Sequence, residues 1–213
     1  MEYTASLVKL NVDNSLRQAR ADALSRGIPV ADDETLQFLL VTLAMSKPTQ
    51  ILEIGTAVGL SGVAMLNACK NARLTTIELE EDRHLEAKKN FEKFGVADRV
   101  RAYLGDAGEI LSMMDGQFDF VFLDGPKAQY EKYLFDLKRL MKDGAVLFSD
   151  DVLLFGWVSG EEPTPQKRRS IVEKIRSYLD VLTADKNFIT SVVNVGDGVA
   201  VSVYQKNTKE NKD

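Results

Sequence analysis

The sequence predicts an α/β domain with a central seven-stranded, mostly parallel sheet, an antiparallel last strand, and helices on both faces. Three observations carry that expectation. From residue 50 onward, short apolar runs alternate with longer amphipathic segments, the pattern of parallel strands joined by crossover helices and buried on both sides. Several of those runs end in an acid, at the strand ends where open α/β sheets bind ligands. Near the C-terminus the rhythm breaks, and two apolar runs flank Asp197-Gly198, a hairpin signal that turns the final strand antiparallel.

The elements follow in order. Residues 2–26 mix charges with spaced Leu and Ala and stop at Gly27, which predicts an amphipathic helix. Asp32 or Asp33 is the expected N-cap of a second, strongly apolar helix that runs to about Met45 and is terminated by Pro48. Residues 1–46 thus form a helical cap on a single domain spanning 1–206. The strands are "QILEI", "RLTTIEL", "RVRAYLG", "FDFVFLD" and "GAVLFSD", with "DRHLEAKKNFEKFG" and "KAQYEKYLFDLKRLM" among the intervening helices. A helix around 166–182 precedes "FITSVVNV" and "VAVSVY". Residues 207–213 are polar and expected to be a disordered tail.

Composition narrows the function. A chain of 213 residues that is 45% apolar supports one domain with a substantial core. A net charge of −5 argues against a grip on nucleic acid through overall charge and leaves local basic patches to do that work. The single cysteine, Cys69, excludes a disulfide framework and, with His84 alone beside it, leaves no Cys/His zinc set; this suits the cytoplasm. Cys69 is expected as a small buried filler and His84 as a surface position on a helix. No apolar stretch approaches the ~20 residues of a membrane span, and the N-terminus lacks the pattern of an export signal.

In "ILEIGTAVGLS" a buried strand ends in Glu53, turns through Gly55 and Gly59, and enters a helix near Ser61, so that backbone N–H groups and the helix dipole face a ligand. The next strand closes with Glu78, placed to accept hydrogen bonds from the two hydroxyls of a ribose, and Asp106 ends the third strand, where it can meet an adenine edge. Such a turn also marks nicotinamide and flavin enzymes, or tight turns with no ligand. It lacks the G-x-G-x-x-G spacing suited to a pyrophosphate, and Glu53 would repel one, which favours S-adenosylmethionine with its methionyl ammonium.

Asp124 ends the fourth strand, and Asp150 and Asp151 the fifth. Oxygen-only ligands select a hard cation such as Mg²⁺. Lys127, one turn into the following helix, is the candidate general base, because a nearby divalent cation disfavours its ammonium form. Taken singly, the acid pair reads equally well as a cap and Lys127 as a solvated side chain.

The strings "LEIGTAVGLS", "FLDGPKAQY", "SDDVL" and "VGDGVAVS" resemble the cation-dependent O-methyltransferases that include catechol and caffeoyl-CoA methyltransferases, over about residues 28–204. Within that family, "LDGPKAQY", "DDVLLFGWV", "KRRSIVEKI" and "VGDGVAVS" are more closely similar to bacterial tRNA 5-hydroxyuridine methyltransferases. The resemblance implies a Rossmann-like class I methyltransferase fold, and the apolar N-terminal helices suggest a homodimer. It also implies Asp124, Asp150 and Asp151 on Mg²⁺, Lys127 as base, and an S-adenosylmethionine pocket lined by Ala31, Ser61, Glu78, Asp106, Ala107 and Asp124. This chain departs from the family's usual Asp-Asn at 150–151 by carrying Asp-Asp. A third carboxylate binds Mg²⁺ more tightly and lowers the residual charge available to acidify a bound hydroxyl.

A metal that chelates two adjacent oxygens accepts catechols and 5-hydroxyuracil alike. The expected substrate is tRNA, with a small vicinal-hydroxyl phenol as the alternative. Phe155 and Trp157 can stack on a splayed base, and Lys167, Arg168 and Arg169 can hold phosphates. Equally, Trp157 can be core packing and the basic run a solvated helix start. Arg17, Arg20, Arg99 and Arg101 could extend a positive face. A third reading, a dinucleotide-dependent or non-catalytic binding module, makes the acids and Lys127 structural.

Overall fold

The chain was described with a computed structural model covering residues 7–206. The expected helix start at residues 2–6 and the expected tail at 207–213 lie outside the described residues. The first described helix, α1 (Asn14–Ser25), begins later than its charge pattern suggests because Asp13 caps it, its side chain accepting from the Leu16 amide at 2.8 Å. Between residue 7 and that cap the chain is non-helical, with Leu10 buried and its carbonyl held by Arg17. Helix α2 (Asp33–Ser46) is capped by Asp32 and leaves through Lys47 in a left-handed conformation.

Strand β1 (Gln50–Ile54), α3 (Leu60–Ala68), β2 (Arg73–Glu78), α4 (Glu81–Lys93), β3 (Val100–Leu104), α5 (Ala107–Met113), β4 (Phe118–Leu123), α6 (Tyr130–Leu140) and β5 (Met141–Ser149) alternate as expected. Helix α7 (Arg169–Ala184) then precedes β6 (Phe188–Val193) and β7 (Val199–Tyr204). The sheet order is β3-β2-β1-β4-β5-β7-β6, with β7 antiparallel to both β5 and β6. β5 starts at Met141 rather than Gly144, because Met141 pairs with Phe118 before the register shifts. That irregularity puts Phe118 in the same core layer as Val121, whereas Phe120 and Phe122 face the other layer.

Each face of the sheet has its own core. Leu16, Leu39, Phe91, Phe120 and Phe148 pack under α1–α4, and Leu52, Val121, Tyr130, Leu137 and Tyr178 pack under α5–α7. Each such side chain stabilises the fold by roughly 2–3 kcal/mol through removal from water. Among the described residues no helix is long and apolar enough to cross a membrane.

Four sequence expectations on charged or polar residues change here. His84 is buried rather than exposed, because it shares the core-facing stripe of α4 with Ala87 and Phe91. Arg20 is buried and donates to the Ala31 carbonyl and to Asp33, both at 2.8 Å. Arg99 reaches four carbonyls around the end of α3, those of Leu66, Cys69, Lys70 and Ala72, and Arg17 serves Leu10. These arginines bind the fold's own backbone and form no common basic face. Cys69 is half-buried.

Candidate active site

The strand order reverses between β1 and β4, so the crevice outside their C-terminal ends is the topological switch point. Their last residues are in register: Ile54 lies beside Ile77 and Leu123, and Leu123 beside Ser149. The next residues therefore emerge together, tied by Asp124 N to the Ile54 carbonyl (2.9 Å) and Asp150 N to the Leu123 carbonyl (3.0 Å). Gly55 has φ +98, and a Cβ there would run into the Asp124 carbonyl, so only glycine permits this approach.

A cavity of about 360 Å³ opens at this edge, lined by Gly55, Glu78, Asp106, Ala107, Asp124 and Lys127 among others. A narrow extension between Ala31 and Ser61 shares Gly55 and Asp124 with it. Glu78 is fixed before any ligand arrives: Oε2 accepts from the Ala57 amide (2.7 Å), and Oε1 from Leu79 and Glu80 (both 2.9 Å). Asp106 caps α5 by accepting from Glu109 N at 3.1 Å.

Two cradle residues sit elsewhere than expected. Glu53 is fully buried behind the cavity, accepting from Ser61 Oγ and Thr76 Oγ1 at 2.6 Å each. Burial pushes its carboxyl up to about 7, against the pull of those two hydroxyls. It braces the turn from below and does not touch the cavity, so the argument that it repels a diphosphate loses its geometry. Gly59, at φ +79, starts α3 and packs against Phe91. Tyr133, which the sequence reading missed, lines the cavity, and its phenol is pushed to about 12 by burial and then by Asp106. Its spacing of three from Tyr130 in "YEKY" was the available signal.

At the other end, Lys127 opens a 3₁₀ turn (Lys127–Gln129) ahead of α6, rather than standing one turn inside it. Its Nζ lies 2.7 Å from Asp124 Oδ1 and 2.9 Å from Asp151 Oδ2. Burial opposes this charge, yet the Tyr130 ring and the Asp124, Asp151 and Asp150 carboxylates outweigh it and hold the ammonium well above its ordinary range. Asp150 is buried, and burial, Asp124 and Asp151 raise it well above the usual carboxylate range. The strand ends are pinned from below by Tyr130, whose hydroxyl donates to the Leu123 carbonyl (2.9 Å) and is 3.2 Å from the Asp150 carbonyl.

The donor chemistry suits a hard cation: oxygen is the only ligand type, and burial, then the neighbouring carboxylates, raise Asp150 above the usual carboxylate range. The three acids are gathered only in part. Among the described residues no three His, Cys, Asp or Glu side chains stand ready to enclose one ion, and Lys127 Nζ fills the point where Asp124 and Asp151 meet. A cation at that point requires the ammonium to move aside.

The segment after Asp151 carries the remaining candidates. Trp157 is half-buried against the core, with its ring 5.1 Å from that of Phe155, which is 61% exposed. Lys167 and Arg168 lie in a 3₁₀ turn and Arg169 opens α7, all exposed and outside the cavity.

A sheet in this order, with a glycine turn, a fixed acid at the end of β2 and an acid–lysine centre after β4 and β5, defines the class I methyltransferase architecture. Residues 4–205 match the family model for O-methyltransferases, and the chain belongs to that family. Catechol O-methyltransferase of Niastella koreensis is 30% identical over 205 residues, 91% of each chain. Caffeoyl-CoA O-methyltransferase of Populus kitakamiensis is 27% identical over 82% of this chain and 77% of its own. The O-methyltransferase TomG of Streptomyces achromogenes, involved in tomaymycin synthesis and solved in complex with SAM, has a TM-score of 0.81 and 26% identity, covering 96% of this chain and 95% of that one.

Proposed function

We propose that this protein methylates the 5-hydroxyl of 5-hydroxyuridine at the wobble position of tRNA, giving 5-methoxyuridine, in a reaction that depends on Mg²⁺. The coarser statement stands on family membership: the chain is an S-adenosylmethionine-dependent O-methyltransferase.

Glu78, held by three backbone amides, would hold the ribose of the donor, with Asp106 and Tyr133 on the side of its base. Ala31, Ser61 and the Gly55 turn border the narrow extension, which suits the methionyl end. Asp124, Asp150 and Asp151 would hold the divalent ion, whose chemistry when bound is to polarise two adjacent acceptor oxygens and offset the carboxylate charge. Lys127 Nζ, on the cavity wall beside Asp124, rests as an ammonium; with a divalent ion in its place on the carboxylates its charged form would be disfavoured, and it would then be the group placed to take the acceptor's hydroxyl proton. The fixed walls align acceptor oxygen and methyl group, and orientation alone supports several kcal/mol of barrier lowering, up to about 7–11.

The observation that carries the tRNA reading is the exposed Phe155 ring paired with Trp157 a few residues beyond Asp151, followed by exposed Lys167, Arg168 and Arg169. An aromatic surface next to the reacting centre suits an unstacked base, and the basic run suits the phosphates beyond it. A second reading, methylation of a small catechol-type phenol, is favoured by the net charge of −5 and by the names of the relatives. Labelled S-adenosylmethionine, offered with tRNA carrying 5-hydroxyuridine and with a panel of vicinal diphenols, separates the two. Label in the diphenols alone would discard the tRNA reading.

The same reading places the enzyme in the cytoplasm as a homodimer. Edge strand β6, with Ile189 and Val192 exposed, offers one surface for a second copy.

A further inference from the structure

We propose that Asp197 and Gly198, in the turn between β6 and β7, are positioning residues that set the conformation of segment 151–155 and so the aim of Asp151. The proposal rests on the reading of Asp151 as part of the reacting centre.

After β5 the chain enters a region that L-residues avoid: Asp151, Leu154 and Phe155 have φ of 53, 47 and 57°, and none is glycine. Such a cluster persists only where the surroundings over-determine it. Here one turn does so. Val152 N donates to the Gly198 carbonyl at 2.9 Å, and Leu153 N and Leu154 N donate to the Asp197 carbonyl at 2.8 and 3.2 Å. The Asp197 carboxylate lies toward the Phe155 amide. Three consecutive amides thus terminate on two residues. Gly198, at φ +87, lies against Leu153 with no room for a Cβ.

The turn is itself seated on the cap. Gly196 abuts Asp32 and Thr35 at the start of α2, and its amide faces Glu34 at 3.4 Å. The residues just before that helix, Pro29 and Ala31, border the cofactor side of the crevice. One short loop therefore braces both the donor side and the acid side, though neither Asp197 nor Gly198 lines the cavity. This gives the "VGDG" string a role that a hairpin alone does not require, because a two-strand turn tolerates other residues at position 197.

The test compares Asp197→Ala with Asp197→Asn in the full chain. Trp157 is the only tryptophan and lies two residues past Phe155, so its emission reports on the segment. In the Ala variant, amides 152–155 should exchange about tenfold faster and Trp157 emission should shift, while donor affinity by calorimetry stays within about twofold. The KM for the methyl acceptor should rise about fivefold or more with the KM for S-adenosylmethionine unchanged. Asp197→Asn, which keeps an oxygen for the Phe155 amide, should restore all of these. If the Ala chain does not fold, Asp197→Glu, which displaces the carboxylate, is read in the same way. Unchanged exchange in 152–155, or an Asn variant as impaired as Ala, overturns the proposal. A wild-type enzyme that methylates no acceptor would instead overturn the assigned reaction, and exchange and emission would still decide the clamp.

Discussion

Lys127 is both the group assigned the proton and the counter-ion of Asp124 and Asp151, so its removal has two effects. Lys127→Ala should lower turnover by about 10²–10⁴-fold, with S-adenosylmethionine affinity near wild type by calorimetry, since Glu78 is the carboxylate proposed to hold the donor. A loss confined to KM would contradict the assignment. Glu53 gives a pH signature of its own. Its carboxyl sits at about 7 when folded against an ordinary value of 4.5, so the folded state holds the proton more tightly. The associated stability is fully present below about pH 4.5 and is lost as pH rises through 7, amounting to about 3 kcal/mol. Glu53→Gln should flatten that part of the stability profile in urea melts taken between pH 5 and pH 8. The sequence placed an acid at Glu53 correctly at the end of β1, but its direction depends on Ser61 and Thr76, and no pattern in "LEIGTAVGLS" tells the cavity side of a strand from its buried side.

At the scale of elements, the centre is built where strand ends meet, and two residues hold the meeting. Tyr130 satisfies the last carbonyl of β4 and the carbonyl after β5 with one hydroxyl. Tyr130→Phe should cost about 1–3 kcal/mol in chemical denaturation, because the hydroxyl shared by two buried carbonyls is lost, although Leu123 keeps the Asp150 amide. Gly55→Ala should cost more and abolish donor binding, since the added methyl forces β1 and β4 apart at the crevice. These elements were legible because apolar alternation and terminal acids are local signals. Boundaries were not where a cap or a register shift intervened: Asp13 delays α1, and the Phe118–Met141 pair lengthens β5. The same limit applied to His84, whose charged neighbours in sequence hid a helix stripe shared with Ala87 and Phe91.

For the whole molecule, net charge and local charge point in different directions, and ionic strength separates them. If tRNA is the acceptor, kcat/KM should fall steeply with added salt as phosphate contacts are screened, whereas methylation of a diphenol should stay nearly flat. Arg17, Arg20 and Arg99, first considered for a broad basic face, are tied to backbone carbonyls, so the steep dependence should be blunted by neutralising Lys167, Arg168 and Arg169 but not Arg99. Strand order carries a last consequence. β7 is the final strand in sequence, yet it lies between β5 and β6. While the polypeptide is still emerging from the ribosome, β5 therefore remains an unpaired border beside an open slot, and the acids that follow it have no turn to lean on. The nascent enzyme should stay chemically silent until residues 199–204 slide in like a keystone. Release of a chain cut short before Val199 should yield a sticky, inactive product rather than a slower catalyst.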